Sequence, residues 1–248
     1  MQHLDLDYED LGETLITERA TTDLHDLRVV LVTSDPIVAR RVQRVFSPMG
    51  ARLAIIPDWG HVALAEVRGI DPQLVLLEPE ADLRSRAHAN RHLAEESRLR
   101  WAMVDRVPKN LEAQAGVDRL VELASVALGA DRQLQAEVLL SHSVFLAPVD
   151  AIGPGRLLRT LALGGGCHDV HYSVEEIEAA LSIADGRILS ATWTEHGPQE
   201  NQLDGVPALT AFTALRQGEV LILPSEANPD GEGLGRLDDL LERDDLQH

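Results

Sequence analysis

Between residues 27 and 130 the hydrophobic positions switch repeatedly between two periods. Short continuous apolar runs over Leu27 to Val32, Arg52 to Ile56, Leu74 to Leu77 and Leu99 to Val104 predict buried strands. The stretches between them carry apolar residues three and four apart, the spacing of one helix face. The first helix opens at Asp35-Pro36, a capping side chain followed by a ring whose φ is already helical, and stops at Pro48-Met49-Gly50. It places Val38, Val42, Val45 and Phe46 on one face. His61 to Val67 and the Ala-rich residues 81–98 predict two more helices. Val117, Leu120, Val121, Ala124 and Leu128 mark the core face of another over 111–128. Strand alternating with helix predicts an α/β domain over 27–130 on a parallel sheet. No pattern for a fifth strand stands out.

Residues 131–143 predict a linking helix, and beyond them the pattern changes. Leu157, Leu158 and Leu161 share a helix face, and Gly164-Gly165-Gly166 then turns the chain. Ile177 to Ile183, Arg187 to Thr194 and Glu219 to Leu223 predict strands, with a helix over Gly205 to Leu215. Asp185-Gly186 between two strands is a hairpin signal, because the favoured tight turn needs φ > 0 at both central residues. Residues 144–224 therefore predict a second, smaller α+β domain. Both ends are acidic. Residues 1–26 hold Asp5, Asp7, Glu9, Asp10, Glu13, Glu18, Asp23 and Asp26 against Arg19, and residues 225–248 are similar. The first segment reads as a disordered, solvated leader. Leu4, Leu6, Leu11, Leu15 and Ile16 also suit a docking peptide that orders on a partner.

Charge narrows the partners. A net charge of −19, from 22 basic and 41 acidic side chains, disfavours nucleic acid and anionic membrane, which reward clustered Lys and Arg. Cys167 is the only cysteine, which fits a reducing compartment. The first residues carry no basic segment or apolar core of a signal peptide, and no run approaches the roughly 18 apolar residues of a spanning helix. A cytoplasmic protein is the expectation.

The run ending at Glu78-Pro79 is where chemistry is expected, since ligands of open α/β sheets sit outside the carboxyl ends of the strands. Leu-Arg-Val-Val-Leu-Val-Thr-Ser-Asp-Pro (27–36) and Asp-Pro-Gln-Leu-Val-Leu-Leu-Glu-Pro (71–79) resemble the receiver domain of two-component response regulators. The resemblance implies a flavodoxin-like parallel sheet. It puts the metal-binding acid pair on Thr33 and Ser34, with Asp35 one place later, and the phosphoacceptor on Glu78. The switch hydroxyl falls near Asp105, and Lys109 comes too early for the receiver lysine. Mg²⁺ takes several hard oxygen ligands, and phosphoryl transfer needs that metal. Glu78 and Asp35 alone make a poor site, so a degenerate receiver is expected. Glu78 either imitates a phosphorylated Asp or is a strand-end carboxylate tied to a backbone N–H, and Asp35 reads first as a helix cap. Arg40, Arg41 and Arg44 form a compact basic patch on the first helix. The resemblance marks that helix as a docking face; the other reading pairs these arginines with the protein's own acidic tails.

Gly155 to Leu161, Ala184 to Ala191, Gly205 to Phe212 and Gly218-Glu219-Val220 resemble the PATAN-type domain found fused to receivers in bacterial signalling proteins. That resemblance implies protein interaction and brings no catalytic residues. Cys167, His168 and His171 are weak metal candidates, with Asp169 and His196 as further ligands; the competing reading is a polar loop after a helix. The glycine run lacks the strand–loop–helix setting of a phosphate loop. The expectation is a non-enzymatic signalling adaptor without cofactor, whose partners are other signalling proteins or a second copy of itself. The alternatives are a working atypical phosphoreceiver and a small-molecule or metal sensor.

Overall fold

The computed structural model describes residues 23–57, 66–67, 69–78, 102–140, 144–198, 200–225 and 233–242. A parallel sheet comes first: β1 (Arg28–Val32), β2 (Arg52–Ile56), β3 (Leu74–Leu77) and β4 (Met103–Arg106), in the order β2-β1-β3-β4. Central β1 sets Val30 beside Ala54 on one side and Val75 on the other. Its side chains alternate between two cores, as the pleat requires. Val29 and Leu31 join Val42 and Phe46 of α1 (Pro36–Phe46) and Leu120, Leu123, Ala124 and Leu128 of α2 (Gln114–Leu139). Val30 and Val32 face the other way. The fourth strand runs two residues past the end of its expected apolar run, to Arg106, and Leu99 and Arg100 fall outside the described residues. So do helix 81–98 and most of 61–67, while the sheet has four described strands and no fifth.

The second sheet is antiparallel. Its members are β5 (Phe145–Pro148), β6 (Cys167–Val174), β7 (Ile177–Ala184), β8 (Arg187–Glu195), β9 (Asn201–Asp204), β10 (Glu219–Pro224) and β11 (Gly235–Arg236). They run in the order β11-β8-β7-β6-β10-β5, with β9 beside β8. Asp185 (φ +48) and Gly186 (φ +77) make the expected turn between β7 and β8. One sheet face is apolar and covered by α4 (Pro154–Gly164) and α5 (Val206–Thr213), through Leu157, Leu158, Leu161, Leu209 and Phe212. The other face is polar and solvated, the arrangement common for antiparallel sheets. Of two short helices, α3 (Val149–Ile152) precedes α4 and α6 (Leu237–Glu242) follows β11. The molecule is thus a mixed α/β fold with a four-stranded parallel sheet and a separate antiparallel sheet.

The two halves share a core. Val30, Val32, Ile56 and Val75 from the parallel sheet belong to the same buried cluster as Leu134 and Val138 of α2, Ile152 of α3 and Leu157 of α4. Of residues 131–143, expected as a linking helix, 131–139 are the last turns of α2, and 141–143 fall outside the described residues. The second half covers the sheet face opposite α1. Among the described residues no helix is long and apolar enough to cross a membrane.

Candidate functional site

At the carboxyl end of the parallel strands, Glu78 follows β3 and Thr33 follows β1. Thr33 Oγ1 donates to Glu78 Oε2 at 3.1 Å, and the Ser34 backbone N–H donates to the same oxygen at 3.3 Å. Thr33 is buried, and its hydroxyl oxygen also accepts from the Asp35 N–H at 3.1 Å. Asp35 turns away to cap α1, its Oδ1 accepting from Ile37 N at 2.7 Å. The four residues expected to form a degenerate acceptor pocket are therefore together. Their hydrogen bonds hold Glu78 to Thr33 and Ser34 and give Asp35 to the helix. Asp105, at the end of β4, accepts from its neighbour's N–H and lies 3.9 Å from Arg119.

The three arginines of α1 split. Arg41 pairs with Glu112, which is neither tail. Arg40 and Arg44 stand exposed one turn apart and line a shallow hollow of about 340 Å³ with Gln43, Ser47 and Pro48.

The metal candidates do not converge. Residues 167–174 are strand β6, not the polar loop that was the competing expectation. Strand alternation buries His168 on one face, where its Nε2 lies 3.3 Å from the Gly165 carbonyl, and puts Cys167 and His171 on the other. Those two are four strand residues apart, about 13 Å. Asp169 accepts from Ser182 Oγ at 2.5 Å. His196 sits at the far end of the β7–β8 hairpin from Cys167 and lies 3.4 Å from Glu178. Among the described residues no group of three or more His, Cys, Asp or Glu is placed to hold a metal. Burial, and then the carboxylates of Asp185 and Asp169, push the Cys167 thiol above its ordinary pKa, so it is a poor thiolate ligand.

The opposite end of the parallel sheet holds a cluster that sequence reasoning missed. Asp131 of α2 and Arg156 of α4 are buried together, with side chains 3% and 6% exposed, and Arg156 Nε donates to Asp131 Oδ1. Gln73 Nε2 and Gln135 Nε2 donate to Asp131 Oδ2 at 3.2 and 3.0 Å. Arg156 Nη1 reaches Asp71 Oδ1 at 3.0 Å, while Arg28 Nη2 reaches Asp71 Oδ2 at 2.9 Å and its Nε reaches the Asp71 carbonyl at 2.7 Å. Asp71 adopts φ +50, the left-handed region that Asp tolerates better than most residues. In that conformation its carboxylate and carbonyl serve both arginines. Two acids and two arginines thus form a neutral unit that joins the base of the parallel sheet to the second half. A signal was present: Asp131 occupies a core position on α2, between Leu128 and Leu134 at three-residue spacing. A cleft of about 760 Å³ opens beside this unit, walled by Arg28, Arg156, Arg159, Leu139, Leu163 and Asp238 among others.

No family model and no curated protein matches the chain. Among solved structures it is similar to the ATP-grasp ligase PsnB complexed with the precursor peptide PsnA2 and AMPPNP, at 12% identity, covering 76% of this chain and 89% of that one, with a TM-score of 0.16. A score at that level marks no shared fold.

Proposed function

We propose that the protein is a non-enzymatic bacterial signalling adaptor, a pseudo-receiver joined to a PATAN-type interaction domain. The observation that carries the reading is the pair of hydrogen bonds that Thr33 and Ser34 donate to one oxygen of Glu78. At the acceptor position stands a Glu whose Oε2 takes a hydroxyl and an amide, and both groups come from positions where a receiver needs metal-binding acids. The order β2-β1-β3-β4 supports the flavodoxin-like assignment, being the first four places of the doubly wound order 2-1-3-4-5. The single Cys167 suits a cytoplasmic setting, and the partners in this reading are other signalling proteins or a second copy of the chain. Incubation with Mg²⁺ and acetyl phosphate, followed by intact mass measurement, tests the proposal. No added phosphoryl group is expected, and a stoichiometric adduct on Glu78 or Asp35 would favour a working phosphoreceiver. The cleft of about 760 Å³ favours a second reading, a small-molecule sensor, for which native mass spectrometry of protein purified from its own host would show a bound ligand.

A further inference from the structure

The hollow on α1 lies beside the point where the N-terminal segment enters the fold. Leu24 is buried, and its backbone N–H donates to the Met49 carbonyl at 3.0 Å. His25 packs over Gly50. Ser47 and Pro48, which line the hollow, directly precede Met49, the residue that anchors Leu24 one place after the described chain begins. Among the described residues neither Arg40 nor Arg44 has an acidic partner, although acids outnumber bases 41 to 22 in the chain.

We infer that the occupant of this hollow is the protein's own acidic segment, residues 1–22, with Glu13 and Glu18 set against Arg40 and Arg44. Charge and reach both support it. The segment carries six carboxylates against one arginine. Glu18 precedes Asp23 by five residues, a reach of about 17 Å when extended. Arg44 and Arg40 lie only about 5 and 10 Å of helix rise from Ser47. Exposed ion pairs are individually weak. A free acidic peptide would therefore barely bind, whereas a tethered one meets the hollow at an effective concentration in the millimolar range. The consequence is a built-in competitor: an acidic partner gains this face of α1 only by displacing residues 1–22. The inference stands on this geometry and does not rest on the signalling role.

Hydrogen exchange of the full chain at low ionic strength, read by mass spectrometry on peptides from 1–22, tests it. Amides around Glu13 to Glu18 should exchange about fivefold more slowly than in an unstructured peptide, and 0.5 M salt should abolish the protection. The double variant R40E/R44E should lose it, R40Q/R44Q should lose most of it, and adding E13R/E18R to R40E/R44E should restore it. Unprotected amides in the unaltered chain, protection unchanged by R40E/R44E, or loss without restoration each overturns the inference. Protection that rises with protein concentration assigns the segment to a second copy's hollow and overturns the intramolecular contact. Arg40 and Arg44 are exposed, so melting temperatures of these variants should match the unaltered chain, and the exchange readout then reports the contact alone.

Discussion

The two ends of the parallel sheet treat their carboxylates in opposite ways. At the carboxyl end, where an α/β sheet conventionally works on ligands, half-buried Glu78 rests on a hydroxyl and an amide. At the amino end, Asp131 is enclosed and matched by Arg156, with two glutamine amides filling its remaining oxygen. One carboxylate has neutral donors and is partly exposed; the other has a cation and is closed off from solvent. A buried charge left unmatched is far more costly than an exposed one. The difference shows that, among the described residues, a buried ion pair stands where the two halves meet, while the end that faces ligands in other α/β sheets holds its carboxylate by neutral donors.

Several substitutions sharpen or break that contrast. Arg156→Met should have the largest effect, because it strands Asp131 and removes a partner of Asp71. A loss of about 3–5 kcal/mol in urea unfolding is expected, in a single transition for both halves because they share one core. Two separate transitions would show that the shared core does not couple them. Arg28→Met removes a pair that is one-third exposed and should cost about 1–2 kcal/mol by the same measurement. At the other end, Thr33→Val keeps the buried shape but leaves the Asp35 N–H without its acceptor, for about 1 kcal/mol. Glu78→Gln keeps an acceptor oxygen and should stay within about 0.5 kcal/mol. If it proved as costly as Arg156→Met, the contrast would collapse. The smallest effect belongs to Asp26, whose fully exposed carboxyl is held below its ordinary 3.8 mainly by a hydrogen bond from Arg132, 3.1 Å away. A depressed folded pKa stabilises above the unfolded value and is lost as pH falls through the folded one. The melting temperature of Asp26→Asn should therefore sit slightly below that of the parent at neutral pH and converge with it once the pH falls below the lowered carboxyl pKa.

Much of the architecture was legible because periodicity alone specifies it. The apolar runs of β1, β2 and β3, the Asp35-Pro36 start of α1 and the Asp185-Gly186 turn all stand where their local chemistry puts them. Strand β6 escaped for a physical reason. Its inward positions are His168, Val170 and Tyr172, and a buried histidine among them breaks the apolar alternation that marks a strand. Short β5, β9 and β11 are edge elements whose pairing comes from neighbours distant in sequence. At the site, the grouping of Thr33, Ser34, Asp35 and Glu78 followed from strand ends. The hydroxyl and amide bonds to Glu78 depend on side-chain direction, which a sequence does not state. The Asp131–Arg156 unit was hidden more deeply, since its members lie 25 residues apart and touch only once α4 folds back on α2.

The uninterrupted α2 gives the molecule a phase relationship as well as a connection. Its first half seats Leu120, Leu123 and Leu128 under the parallel sheet, and its last turns seat Leu134 and Val138 in the shared core. Over 26 residues it is a rod about 39 Å long. Gly129 sits between the two seats with open space around it. One residue inserted there would turn everything downstream by about 100° and lift Leu134, Val138 and Asp131 out of register together. Seven inserted residues would nearly restore the angle yet displace the second half by about 10 Å along the rod. The chain thus behaves like a keyed shaft: length changes that many helical linkers absorb would unseat both halves at once.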